Sequence, residues 1–164
     1  MSFNKSVLDM LPKLRRYSYS LTGNINDGDD LLHSSLEKII RNKNNFKNVK
    51  NLSAYFYKII QNNWKDRFIK NEPIFLDIET VSDLLKDDNI SADKLIENEN
   101  NSTNLKQSID NLSEKLKSTL LLSVVEEKSY KEISEILEIP IGTVMSRLAE
   151  AKKKIIQKNK ELRL

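Results

Sequence analysis

The segment 129–152 constrains the fold most, because its pattern predicts two short helices joined by a tight turn. Pro140 stands at the start of the second helix, in a first turn that tolerates proline. This layout is typical of a helix-turn-helix, a unit that lays its second helix in the major groove of duplex DNA. A plain helical hairpin with a basic end is the alternative. The apolar residues at core spacing are Ile133, Ile136, Leu137, Val144, Leu148 and Ile155.

Helical spacing of apolar residues also runs through the N-terminal part of the chain. We expect a first helix that ends at Gly23 and a second that Asp27 and Asp29 cap. A third helix is predicted from near Ser53 to about Lys70. The chain has three Gly and three Pro, a content that suits helices with short loops and argues against a β-sandwich or barrel.

Charge divides the chain into three blocks. Residues 1–70 carry 13 Lys and Arg against 6 Asp and Glu, residues 71–111 carry 3 against 10, and residues 112–164 carry 11 against 8. The sequence therefore predicts an all-α protein of two small helical domains, 1–70 and 112–164, joined by an acidic linker. Basic blocks favour a polyanionic partner, although solvated helix faces would give the same charge. A further hypothesis is that the acidic residues 83–100 fold back and mask a basic DNA-binding face.

Several classes of function lack their residues. The chain has no cysteine, and His33 is its single histidine, so no metal site or nucleophile–base pair is indicated. No glycine-rich phosphate loop occurs, and no stretch approaches the ~20 apolar residues of a membrane span. We expect a cytoplasmic protein that is not an enzyme and has no cofactor, no metal and no small-molecule substrate.

The start of the second helix of the motif carries the candidate base contacts. Arg can hold guanine through two hydrogen bonds, while Ser and Thr hydroxyls suit a base or a phosphate. Lysines further along the helix suit phosphates. The candidates for the duplex contact are Thr143, Met145, Ser146, Arg147, Lys152 and Lys153.

Segment 137–152 resembles the C-terminal domain, region four, of bacterial sigma factors of the extracytoplasmic-function (ECF) group. Independently, segment 27–40 is similar to the family's region-two docking helix, and segment 54–66 to the helix that melts the promoter. Segments 11–17 and 21–24 also resemble the alphaproteobacterial general-stress subgroup, whose members a small anti-sigma protein inhibits. The chain departs from the family at Glu138, where a glycine usually stands in the turn, and at Glu150, often a basic residue.

The resemblance implies a sigma factor that binds the RNA polymerase core and directs it to promoters, for a stress or envelope-signal regulon. It implies docking on the clamp helices of the β′ subunit through Asp29, Asp30, Leu31 and Glu37. Region four would bind the −35 element as duplex DNA. The residues implied at the melted −10 element are Tyr55, Tyr57, Lys58, Asn62, Lys65, Asp66 and Arg67.

Two other interpretations belong to different classes. A stand-alone transcriptional regulator would use the same helix-turn-helix on duplex operator DNA but would not need the polymerase-docking helix. A protein-binding adaptor would need neither Arg147 nor the lysine run. For any single aromatic of segment 54–66, packing in the core is an equal alternative to stacking on a base. Phe56, Ile59, Ile60 and Tyr55 are the residues to which this alternative applies.

Overall fold

The computed structural model describes residues 3–69 and 104–162, all of them helices and the turns that connect them. The predicted acidic linker, and with it the masking hypothesis for residues 83–100, lies mostly outside the described residues. The all-α fold class is confirmed. We call residues 3–69 the N-terminal unit and residues 104–162 the C-terminal unit.

Three long helices form the N-terminal unit: α1 (Phe3–Thr22), α2 (Ile25–Arg41) and α3 (Leu52–Trp64). A 3-10 turn, Lys43–Phe46, lies between α2 and α3. After α3 the chain continues as a π-helical turn, Lys65–Ile69. Each helix buries one apolar face against the other two, as the spacing predicted. The buried residues at the centre of this core are Leu14, Tyr17, Leu21, Leu31, Ile39, Phe56 and Ile60.

The junction between α1 and α2 differs in one detail from its prediction. Gly23 has φ of +81°, the left-handed conformation expected where a helix stops. The capping residue, however, is Asn24, whose Oδ1 accepts a hydrogen bond from the Asp27 backbone N–H at 2.8 Å. Asp27 and Asp29 lie three and five residues after Asn24, inside α2, so the prediction that they cap this helix is wrong.

The C-terminal unit contains a helical segment at 104–110 and three helices: α4 (Glu114–Val124), α5 (Tyr130–Leu137) and α6 (Ile141–Leu162). The segment 104–110 falls within the stretch that charge assigned to the linker. Helices α5 and α6 form the predicted helix-turn-helix, and α4 packs across both. Pro140 precedes α6, and its carbonyl accepts the Val144 N–H at 3.1 Å.

The turn between α5 and α6 holds Glu138, which stands where the family usually has a glycine, in a strained backbone conformation. Glu138 adopts φ 56° and ψ 47°, a left-handed conformation that costs a residue with a side chain about 1 kcal/mol or more. The Ser134 hydroxyl donates a hydrogen bond to the Ile139 carbonyl across the turn. A side-chain contact of Ser134 therefore helps to hold the turn that Glu138 strains.

The two units pack against each other through α1 with α4 and α3 with α5. Part of this contact is polar and buried. The Tyr17 hydroxyl donates to Gln61 Oε1 at 2.7 Å, and Gln61 Nε2 donates to Ser118 Oγ at 2.6 Å. Lys117 Nζ donates to the Leu21 carbonyl at 2.6 Å. Each of these buried polar atoms has a partner, which removes the cost of burying it unpaired.

Candidate nucleic-acid interface

Helix α6 turns its predicted base-contacting side toward solvent. Val144, Leu148 and Ala151 are buried against the other helices of the unit. Met145 is 53% exposed, and Ser146, Lys152 and Lys153 are also exposed. Thr143 and Arg147 are half-buried at the flank. The helix thus presents its N-terminal turns and a cationic second half on the surface that a duplex would approach, as in other helix-turn-helix units.

The charge of this helix is not uniformly positive. Glu150 Oε1 lies 3.5 Å from Lys154 Nζ, and both side chains are more than half exposed. Such an exposed pair contributes little to stability, about 0–1 kcal/mol. The pair places a carboxylate between the N-terminal turns of α6 and the exposed Lys152 and Lys153.

Helix α3 divides its predicted −10 residues between core and surface. Phe56 and Ile60 are fully buried, so the core alternative is correct for both. Tyr55 is half-buried, with its ring 4.7 Å from that of Phe46 in an edge-to-face contact. Tyr57 is fully buried, and in this arrangement it cannot stack on a base. For Tyr57 this burial favours the core alternative while the two units are in contact.

The remaining −10 candidates lie on or after the exposed side of α3. Asn62 and Asp66 are exposed, and Lys65 is half-buried. Arg67 donates hydrogen bonds to the Asp30 carbonyl at 3.3 Å and to a hydroxyl of α2 at 2.8 Å. Lys58 Nζ lies 2.6 Å from the Glu138 carboxylate, across the contact between the two units. The Lys58 ammonium lowers the pKa of Glu138 below its ordinary value.

The predicted polymerase-docking residues spread over more than one side of α2. Asp30 and Glu37 are exposed, and Glu37 forms an ion pair with Arg41 at 3.0 Å. Asp29 accepts a hydrogen bond from the Tyr19 hydroxyl at 2.6 Å. Leu31 is fully buried in the core, so it offers no exposed surface to a partner in this arrangement.

Glu126 links the two units and was not predicted from the sequence. Its side chain has no exposed surface and accepts two hydrogen bonds from Arg16, at 3.1 and 2.7 Å. The Tyr57 hydroxyl donates to the same carboxylate at 2.8 Å. Lys128 covers the other side of the Tyr57 ring, with Nζ 4.9 Å from its centroid. We call Glu126 with Arg16 and Tyr57 the Glu126 cluster.

Electrostatics agree with the geometry of the Glu126 cluster. The hydrogen bond from Arg16 to Glu126 raises the pKa of the Arg16 guanidinium. Burial, and then the Glu126 carboxylate, raise the pKa of the Tyr57 phenol well above its ordinary value. Both groups therefore keep their protons at neutral pH and remain donors to Glu126. No local sequence pattern marks Glu126, because its partners lie 69 and 110 residues away.

Within the described ranges, no group of His, Cys, Asp and Glu side chains is arranged to hold a metal ion. His33 is exposed. Among the same residues, none of the helices combines the length and the apolar character needed to cross a bilayer.

Comparisons with known proteins relate both units to domains of RNA polymerase sigma factors. Residues 102–155 match the family model of Sigma-70, region 4, and residues 7–61 match that of the Sigma2 domain of PhyR. Over most of its length the chain is similar to ECF RNA polymerase sigma factors. The resemblance stated from the sequence is confirmed, and the matches to the PhyR domain and to EcfG support the predicted general-stress subgroup. The stand-alone regulator is the less supported interpretation.

Curated relatives cover nearly the whole chain. The chain is 26% identical over 159 residues to the ECF RNA polymerase sigma factor SigW of Bacillus subtilis (strain 168). This alignment covers 92% of this chain and 84% of SigW. It is 25% identical over 155 residues to the ECF RNA polymerase sigma factor EcfG of Rhodopseudomonas palustris (strain TIE-1). That alignment covers 94% of this chain and 83% of EcfG.

Solved structures share the fold. The sigma factor RpoE in complex with the anti-sigma factor NepR from Bartonella quintana matches with a TM-score of 0.70 and 20% identity, over 96% of both chains. The anti-anti-sigma factor PhyR in complex with NepR from the same organism matches with a TM-score of 0.65 and 20% identity. That match covers 96% of this chain and 51% of PhyR.

Proposed function

We propose that this chain binds the RNA polymerase core, directs it to a set of promoters and performs no bond chemistry itself. The observation that carries the proposal is the order of the two matches, a region-two unit followed by a region-four unit with an exposed cationic α6. Because RNA polymerase works in the cytoplasm, we assign the chain to that compartment. From the sequence the domains are residues 1–70 and 112–164 with a linker of 71–111; because residues 104–110 are helical, we assign them to the C-terminal domain and shorten the linker to 71–103.

At the −35 element, α6 enters the major groove of the duplex. Ser146 and Arg147, together with Thr143 and Met145, supply the base contacts, and Lys152 and Lys153 approach phosphates. At the −10 element, α3 and its π-helical extension hold the melted strand. Here Tyr55 offers a ring, and Lys58, Asn62, Lys65, Asp66 and Arg67 supply polar contacts. Tyr57 joins this site only after the two units separate.

Separation of the units is part of this mechanism for a physical reason. Lys58 pairs with Glu138 of the C-terminal unit, and Tyr57 is buried beneath Glu126 of the same unit. Both residues must exchange these contacts before they meet a DNA strand. Docking on the core through Asp29, Asp30 and Glu37 supplies free energy for that exchange and holds the units at the promoter spacing. Two weak DNA contacts on one chain then bind together with high avidity.

A small anti-sigma protein is the proposed inhibitor, and a stress or envelope-signal regulon the proposed target. Support for the inhibitor comes from the fold shared with RpoE and PhyR, each of which forms a complex with the anti-sigma factor NepR. Such an inhibitor would act by stabilising the arrangement in which the −10 residues are covered.

In vitro transcription with purified core polymerase on a promoter library tests the proposal. We expect initiation that depends on the full chain. Arg147→Ala should reduce use of promoters through the −35 element and leave core affinity intact, while Asp30→Ala should weaken core binding. Asp9→Ala, which removes the same charge from an exposed site on α1, is the control for Asp30. Equal loss of core affinity in Arg147→Ala and Asp30→Ala would contradict the assignment.

A second candidate function follows from the match of residues 7–61 to the Sigma2 domain of PhyR. A chain of this kind would act as a sigma-like decoy: it would bind an anti-sigma protein and would not bind the RNA polymerase core. The transcription assay separates the two functions. A decoy would give no initiation with core polymerase but would bind a purified anti-sigma protein tightly.

A further inference from the structure

A row of exposed apolar side chains lies near the N-terminus of α6. Ile141 is 46% exposed and Met145 is 53% exposed. Ala149, four residues further, is exposed as well. Residues four apart lie on one helix face, so these three form a short row that we call the apolar row.

The apolar row serves neither the core nor the contact between the units. The core residues Val144 and Leu148 are buried. Arg147 comes two residues after Met145, about 200° around the helix at 3.6 residues per turn, and is half-buried. Because Ile141 and Met145 are exposed side by side and not as scattered single residues, they are a candidate contact surface for a partner.

The flanking residues indicate duplex DNA as that occupant. Lys152 and Lys153 are exposed on the next turn and carry the charge that phosphates attract. Gly142 lies beside the row, and an added Cβ there would have no atom within 4 Å, so this part of the helix is open to close approach. A bulky side chain at position 142 or 149 would prevent the base edges in the major groove of DNA from approaching α6.

Hydrogen-bonding capacity on this side of the helix is small. The exposed Ser146 hydroxyl donates its hydrogen to the Gly142 carbonyl at 3.0 Å, which leaves its oxygen only as an acceptor. Glu150 pairs with Lys154. In the major groove, the feature of a base pair that an apolar side chain recognises is the C5-methyl group of thymine.

We propose that Met145, supported by Ile141 and Ala149, makes this chain select thymine in the −35 element through the C5-methyl group. The inference rests on the proposed function, and it adds a specificity that Arg147 does not supply. Met suits this role because its flexible thioether adapts to a methyl group at slightly different positions.

Deoxyuridine tests the proposal, because it differs from thymidine by the C5-methyl group alone. The holoenzyme formed from core polymerase and the full chain first selects its −35 element from a randomised library. Each thymine of the selected element is then replaced singly by deoxyuridine, and promoter affinity is measured. We expect one or two positions to lose about fourfold, the factor that corresponds to ~0.8 kcal/mol for one buried methyl-sized group.

Met145→Ala should bind thymine and deoxyuridine templates equally well. Ile156→Ala, which removes a side chain of similar exposure (55%) three turns further along α6, should keep the wild-type difference. Equal binding of both templates by the wild type, or a methyl effect that persists in Met145→Ala, would overturn the inference. Failure to select any −35 element with core polymerase would instead overturn the proposed function and the inference with it.

Discussion

Replacement of Glu126 by Gln should open the contact between the two units. The substitution keeps the shape of the side chain and an oxygen for the Tyr57 hydroxyl but removes the charge that binds Arg16. Hydrogen bonds to charged groups contribute about 1.5–3 kcal/mol. Arg16 is half exposed in the closed arrangement, so water replaces part of its lost contact, and a loss of about 2 kcal/mol is the expected value. That loss shifts the equilibrium between closed and open arrangements about 30-fold.

The distance between the units can be measured with two introduced labels, because the chain has no cysteine of its own. Exposed Asn48 and Gln157 accept cysteines for spin labels or fluorophores without touching the contact. A urea series gives the opening equilibrium for each variant. Glu127→Gln is the matched control, since it removes the same charge one residue away from an exposed side chain.

We expect the units of the wild type and of Glu127→Gln to separate at the same urea concentration. The units of Glu126→Gln should separate at a lower concentration. Coincident opening curves for all three proteins would refute the argument that the Glu126 cluster holds the units together. Loss of all helical signal along with the distance change would mean that Glu126 stabilises the fold and does not specifically hold the contact. Circular dichroism in the same samples separates these results.

Three further predictions concern stability. Gly28→Ala should lower the free energy of unfolding by about 1–3 kcal/mol in a urea titration, because its Cβ would lie 3.0 Å from the Tyr19 Cα, whereas Gly142→Ala should not destabilise. Glu138→Gly should relieve about 1 kcal/mol of left-handed strain and raise the thermal stability of the protein while it weakens the contact with Lys58; a lower melting temperature would contradict this. Because Lys58 lowers the pKa of Glu138 below 4.5, their contact stabilises the closed arrangement fully above pH 4.5 and is lost as the pH falls through the lowered pKa. The label distances should show this acid-induced weakening in the wild type and not in Glu138→Gln.

Local features of the fold were predictable because each depends on residues close in sequence. The helix-turn-helix followed from apolar spacing over 129–152, and the unusual turn residue Glu138 from comparison with the glycine that the family usually has there. The capping of α2 was the exception. Asn24 and Asp27 are both good capping residues, and only the position of the first helical turn, set by packing of α2 on α1, decides between them.

Tertiary structure alone decided which side chains of α3 are available to a partner. Segment 54–66 is aromatic on more than one side, so its spacing could not tell whether Tyr55 or Tyr57 lies inside. Tyr57 is buried because Glu126 and Lys128 of the C-terminal unit cover it. Leu31 is buried because α1 packs on that side of α2.

Two helical units and their charges could be predicted from the amino-acid sequence, because periodicity and composition act within each segment. The contact of the units through Glu126, Arg16 and Gln61 could not, because it depends on how distant segments pack. A buried carboxylate is stable only where donors from distant parts of the chain converge on it, and no pattern along one segment encodes that convergence.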